Sequence, residues 1–232
     1  MLILAFETSA KAASVALSDG NKLLGESYQN TGLTHSQTLM PMAQELLKSC
    51  GYTPQQVEAV AVAAGPGSFT GIRIGVAAAK GFAWGKELPC YGVSTLEAMA
   101  RSLGAWDGLV VPVMDARRSQ VYTATFLAEN GKLSRMCQDR AVSLQELGEE
   151  LKNVEKSIFL VGDGSVLCYN TLKDKVAKLI LPPEHRMHQR ATGVALVAAD
   201  LIAAGESGNG AELTPNYLRL SQAERERLER EK

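Results

Sequence analysis

Gly65-Pro66-Gly67-Ser68-Phe69-Thr70-Gly71-Ile72-Arg73-Ile74-Gly75 follows the apolar run Val57 to Ala64 and leads straight into a helical pattern that reaches about residue 84. A buried strand, a tight turn and a helix start make up one α/β unit. Gly65 and Gly67 allow positive φ and close backbone approach, and Ser68 is placed to cap the helix. The free N–H groups of that first turn suit an anion or a neighbouring carbonyl. The dinucleotide pattern needs glycine where Thr70 stands, and the P-loop needs Lys-Ser/Thr where Ile72 and Arg73 follow Gly71. The turn therefore fixes a fold unit without assigning a nucleotide.

On the N-terminal side, Leu2 to Phe6, Ser14 to Leu17 and Lys22 to Tyr28 read as a three-stranded meander with a hairpin turn at Asp19-Gly20. Thr34-His35-Ser36-Gln37 has the spacing of a capping box and predicts a helix to about Cys50. Beyond the glycine turn, a short strand around Leu88 to Val93 precedes Ser94-Thr95-Leu96-Glu97, a second capping box, and a helix to about Leu103. The order then restarts. Leu109 to Met114 ends at Asp115, Val121 to Leu127 is the next strand and Asn130-Gly131 the matching turn. Ser143-Leu144-Gln145-Glu146 opens a helix, followed by a strand Ile158 to Val161, Gly162-Asp163-Gly164, a helix near Val166 to Lys173 and a strand near Val176 to Leu181. The alanine-rich run Thr192 to Ala204 is expected to close this second half as a helix.

Two rounds of meander, helix, strand and helix predict a duplicated α/β fold, with mixed sheets flanked by helices. The actin-like, sugar-kinase-like (ASKHA, ribonuclease H-like) architecture fits, with Glu7 and Asp115 each ending the first strand of a meander and facing a cleft. The boundary is expected within Gly104 to Gly108, giving an N-terminal lobe of residues 1–105 and a C-terminal lobe of residues 106–232. The charged tail Ala223 to Lys232 reads as a solvated helix end.

Lysine and arginine total 24 against 25 acids, a formal net charge of −1, so the chain lacks the basic excess of an independent nucleic-acid binder. Cys50, Cys90, Cys137 and Cys168 are far apart without a C-x-x-C pair, which points to free thiols in a reducing compartment. Met1 to Phe6 is too short, and too soon followed by Glu7, for a signal peptide or membrane span. A cytoplasmic location with no membrane contact is expected.

Ile3-Leu4-Ala5-Phe6-Glu7-Thr8-Ser9, His35-Ser36, the glycine segment 65–75, Asp115-Ala116-Arg117 and Pro215-Asn216-Tyr217-Leu218-Arg219 together resemble the TsaB (YeaZ) family over almost the whole chain. That resemblance implies a non-catalytic partner of TsaD, the subunit that forms threonylcarbamoyladenosine at position 37 of tRNAs reading codons beginning with A. It also implies a TsaE-like ATPase as a further partner, and tRNA contact only within the complex. TsaD-like chains carry two histidines four apart after the glycine-turn helix, a spacing suited to a metal. Thr95 and Met99 stand at those positions here, and a hydroxyl with a thioether does not replace two imidazoles. No metal and no tightly bound cofactor are expected, with ATP placed at an interface of the complex.

Gly71, Gly75 and Ala79 recur every four residues, and we expect this bare helix face, with His35 at the start of the neighbouring helix, to meet the TsaD-like partner, or a second copy of the chain in its absence. Glu7, Thr8 and Ser9, Asp115, and Gly162-Asp163-Gly164 are the candidates for residual nucleotide binding, since actin-like ATPases place acids and hydroxyls at such strand ends. The alternative is an actin-like small-molecule kinase or ATPase drawing on Glu7, Asp115 and Asp163. A metalloprotease reading fails on the missing histidine pair. His185 and His188 lie in a proline-flanked segment and read as loop histidines, and Glu97 reads as the capping partner of Ser94.

Overall fold

The computed structural model describes residues 1–104 and 106–219. Ala105, at the expected lobe boundary, and the charged tail Ala223 to Lys232 lie outside the described residues.

The first sheet holds β1 (Leu2–Glu7), β2 (Ala13–Asp19), β3 (Lys22–Gln29), β4 (Ala59–Gly65) and β5 (Cys90–Ser94) in the order β3-β2-β1-β4-β5. β1, β4 and β5 run parallel, while β2 and β3 return antiparallel as the predicted meander. Every residue of β1 and of β4 is buried, because helices cover both faces of this sheet. Leu4, Phe6, Val60 and Val62 point to one face, with α1 (His35–Ser49) and α2 (Phe69–Trp84). Ile3, Ala5, Ala59, Ala61 and Ala63 point to the other.

That second face explains a difference from expectation. The alanine-rich helix α6 (Ala191–Ala203) packs on the first sheet rather than closing the second half. Ala195, Ala198 and Ala199 meet the row of strand alanines, so two surfaces of small side chains approach closely. Gly193 lets α6 cross α3 (Thr95–Leu103) so tightly that a Cβ there would overlap the Ala98 carbonyl.

The second sheet repeats the plan. β6 (Gly108–Asp115) is flanked on one side by β11 (Ile158–Val161) and then β12 (Leu179–Ile180), all parallel. On the other side it pairs antiparallel with β7 (Gln120–Thr123) and then β8 (Phe126–Glu129), so the strand expected from Val121 to Leu127 is interrupted at Ala124-Thr125. β9 (Lys132–Arg135) pairs with β8 and β10 (Arg140–Ser143) with β7. α4 (Leu144–Leu151) and α5 (Ser165–Leu172) cover one face. α3 serves both halves: Ala98 belongs to the core of the first sheet, while Leu96, Met99 and Leu103 belong to that of the second. The molecule is a duplicated actin-like α/β fold, and each sheet with its helices is called a lobe below.

The helix ends sort the predicted capping boxes. Ser143 and Glu146 form the full reciprocal box at α4. Ser94 accepts from the Glu97 N–H at α3, yet the Glu97 carboxylate turns to Arg135, 2.6 Å away, and Arg135 also holds Asp139. At α1, Thr34 makes no side-chain cap, and its carbonyl accepts from the Gln37 N–H.

The small-residue face of α2 is internal. A Cβ on Gly71 would overlap the Thr8 carbonyl, one on Gly75 the Thr8 hydroxyl, and Ala79 is fully buried. Gly71, Gly75 and Ala79 therefore set the distance between α2 and the first sheet, and the expected external docking face is corrected accordingly. His35 ties the start of α1 to the β1–β2 turn, with Nε2 2.9 Å from the Ala10 carbonyl.

Candidate functional site

The carboxyl ends of β1, β4, β6 and β11 converge on a cleft of about 690 Å³ between the lobes. Ligands of open α/β sheets bind outside such strand ends. Its walls are the β1–β2 turn (Ser9 to Lys11), the glycine turn (Pro66 to Thr70), the end of β6 with the following turn (Met114 to Arg117), Tyr122, Asp163 and the segment Asn216 to Arg219.

Each strand end presents its group differently. Glu7 is 0% exposed, its Oε1 accepts the Ser9 N–H at 2.6 Å, and Oε2 has no partner among the described residues. Burial pushes its carboxyl up to about 7, against the opposing hydrogen bonds from Ser9. Asp163 opens onto the cleft, but protein on its other sides still raises its carboxyl, a shift that the hydrogen bond from Gln189 Nε2 at 2.7 Å opposes. The charge of Asp163 also raises the Glu7 carboxyl, by less than burial does. Asp115 stands exposed at the end of β6, with Oδ1 accepting the Arg117 N–H at 2.7 Å.

Not all sequence candidates meet there. Ser9, Asp115 and Asp163 line the cleft and Glu7 lies beneath it. Thr8 faces away: its hydroxyl donates to the Gly71 carbonyl at 2.7 Å and braces α2. The Ser9 carbonyl accepts the Ser68 N–H at 2.6 Å and Ser68 Oγ accepts the Gly71 N–H at 3.3 Å, so two of the N–H groups at this helix start are engaged within the fold. Gly162 and Gly164 pack against β6: a Cβ on Gly162 would collide with the Val113 carbonyl, and one on Gly164 would stand tightly, at 3.0 Å, against the Asp115 backbone nitrogen. Thr95 and Met99 are buried in the core. No group of three or more metal-binding side chains occurs among the described residues.

Sequence reasoning missed Asn216 to Arg219 as cleft walls. Asn216 N–H donates to the Ala64 carbonyl at 2.7 Å, and Tyr217 stacks on Phe69 with ring centroids 4.3 Å apart. Arg219 Nη1 donates to the Ala116 carbonyl at 2.6 Å, across to the second lobe. Aromatic and basic residues clustered after the glycine-rich stretch 205–210 were the available signal.

A family model described as TsaD, tRNA N6-adenosine threonylcarbamoyltransferase, matches residues 29–226. The chain is 34% identical over 233 residues, all of both chains, to the Bacillus subtilis protein named tRNA threonylcarbamoyladenosine biosynthesis protein TsaB. It is 33% identical to the Escherichia coli protein of the same name, over 94% of this chain and 95% of that one. Among solved structures, YeaZ from Pseudomonas aeruginosa superposes with a TM-score of 0.77 at 25% identity, covering 94% of this chain and 99% of that chain. Component A of the Acidaminococcus fermentans (R)-2-hydroxyglutaryl-CoA dehydratase shares the fold at a TM-score of 0.54 and 12% identity, covering 88% of this chain and 99% of that chain.

Proposed function

The chain belongs to the TsaB (YeaZ) family, and on that premise we propose that it is a non-catalytic, structural and activating subunit of the machinery that forms N6-threonylcarbamoyladenosine at position 37 of tRNAs reading codons beginning with A. Its direct partner is a TsaD-like catalytic subunit, working with a TsaE-like ATPase, and tRNA meets the chain only inside that assembly. The observation that carries the non-catalytic reading is the packing of Thr95 and Met99. Both side chains are buried where TsaD-like chains present a histidine pair, and Met99 forms part of the core around α3.

The N-terminal lobe, residues 1–105, supplies the partner-binding helices. With Gly71, Gly75 and Ala79 turned inward, the docking surface is the opposite face of α2. Arg73, Ala77, Gly81 and Trp84 are exposed there, Trp84 to 81%, and nothing would obstruct a Cβ on Gly81. Small side chains beside one large aromatic admit a partner helix at short distance and give it an anchor. We place the ATP of the reaction at the shared interface, because Thr8 and the Ser68 N–H are already engaged within the fold.

Reconstitution tests this reading. Threonylcarbamoyladenosine should form when the chain is combined with TsaD-like and TsaE-like subunits, tRNA and the activated threonylcarbamoyl donor. It should not form when the TsaD-like subunit is left out. Modification by the chain without that subunit would refute the non-catalytic role.

A further inference from the structure

Residues 205–219 leave α6 and cross the front of the molecule as a strap without helix or strand. The first lobe holds it along its length: Lys80 Nζ donates to the Ala211 and Leu213 carbonyls at 3.3 and 3.1 Å, and Asn216 and Tyr217 make the contacts described above. The second lobe holds it through Arg219, by the charge-assisted hydrogen bond to the Ala116 carbonyl. That carbonyl belongs to a turn in which Arg117, Arg118 and Ser119 all have positive φ, 63°, 56° and 57°. Side-chain-bearing residues keep such a run only where their surroundings hold it.

Arg73 belongs to two surfaces at once. Its guanidinium lies 3.9 Å over the Phe69 ring and its Nε donates to the Tyr217 hydroxyl at 2.8 Å. The same residue stands on the outer face of α2, in helical register with Ala77, Gly81 and Trp84. We propose that residues 216–219 form a latch over the interlobe cleft and that Arg73 couples this latch to the outer face of α2, so that a protein partner seated there frees Arg219 from Ala116 and opens the cleft. The inference rests on the docking face proposed above. The strap moves with the first lobe because most of its bonds are there, and α3, with one face in each core, is the pivot. Linkage makes the coupling reciprocal: a change that frees Arg219 also tightens partner binding.

Hydrogen exchange on the full chain tests the latch without a partner. The amides of Ala116 and Gln120 are hydrogen-bonded within the latch turn and report on it directly. Losing one charged hydrogen bond should speed their exchange about tenfold in Arg219→Met. Arg73→Met should act in the same direction, and Tyr217→Phe, which keeps the ring stack, more weakly. Protection in β1 and α3 should stay as in the wild type. In calorimetry with a TsaD-like subunit, Arg219→Met should bind a few-fold more tightly. Wild-type exchange at Ala116 and Gln120 in Arg219→Met overturns the latch, and unchanged exchange there in Arg73→Met overturns the coupling. Faster exchange with no partner binding by any form, wild type included, overturns the docking face and the coupling while leaving the latch.

Discussion

Glu7 and Asp115 end the central strands of two lobes built on one plan, in opposite environments. Glu7 is sealed beneath the cleft with a raised carboxyl, and Asp115 is exposed beside a strained turn. The turns after the next parallel strands differ in the same way. Gly65-Pro66-Gly67 is covered by the strap, so closely that a Cβ on Gly65 would overlap the Asn216 carbonyl, whereas Gly162-Asp163-Gly164 opens its acid to the cleft. At these strand ends the first lobe buries its acid, and the second leaves Asp115 and Asp163 open to the cleft. Duplication therefore preserved the topology while the chemistry of corresponding positions diverged.

The largest effect that could break this comparison is expected from Gly75→Leu. The Thr8 hydroxyl and Val62 already occupy the space, and overpacking costs about 1–3 kcal/mol and sometimes more. Thermal unfolding followed by circular dichroism should show a strongly destabilised or unfolded protein. A native-like midpoint would return this face to the outside.

The pH dependence of stability separates the two acids. The folded Glu7 keeps its proton to about 7, while in the unfolded chain it releases it near 4.5. Between those values the folded state binds more protons, so stability falls as pH rises through the window, by about 3 kcal/mol in total. The raised carboxyl of Asp163 acts in the same direction. Glu7→Gln should flatten the profile in urea titrations at stepped pH, whereas Asp115→Asn should change stability by less than about 0.5 kcal/mol. An unchanged slope in Glu7→Gln would contradict the assignment.

A small effect of the opposite sign is expected at Thr95, whose buried hydroxyl has no partner among the described residues. Thr95→Val removes an unsatisfied polar group and should leave the unfolding midpoint equal or raise stability by up to about 1 kcal/mol. A loss beyond that would show that the hydroxyl is hydrogen-bonded.

Local signals in the sequence were legible and long-range destinations were not. The strand, glycine turn and helix around residue 65 formed as read, with α2 over Phe69–Trp84 and Ser68 accepting the Gly71 N–H. The spacing of Gly71, Gly75 and Ala79 announced a close approach, but periodicity does not say whether a sheet or a partner makes it. Glu97 had the spacing of a capping box, yet Arg135 in the other lobe offers a charged partner that no local pattern reveals. The alanines of α6 match those of β1 and β4 across the chain, and their fit appears only when the strand face is known. At the cleft, Glu7, Ser9, Asp115 and Asp163 stood out as polar groups at strand ends. The cluster around Arg219 was visible in the sequence, but its reach to the Ala116 carbonyl in the other lobe was not, because a backbone acceptor has no residue-type pattern.

The most direct test of the account is the binding of a purified TsaD-like subunit to Gly81→Leu and wild type, measured by calorimetry and size-exclusion chromatography. Gly81 is exposed on the outer face of α2 with open space around it. The expected result is that Gly81→Leu keeps the wild-type circular dichroism spectrum, loses co-elution with the partner and binds at least about fivefold more weakly, as expected for a clash of about 1–3 kcal/mol. A folded Gly81→Leu that binds as tightly as wild type would contradict it.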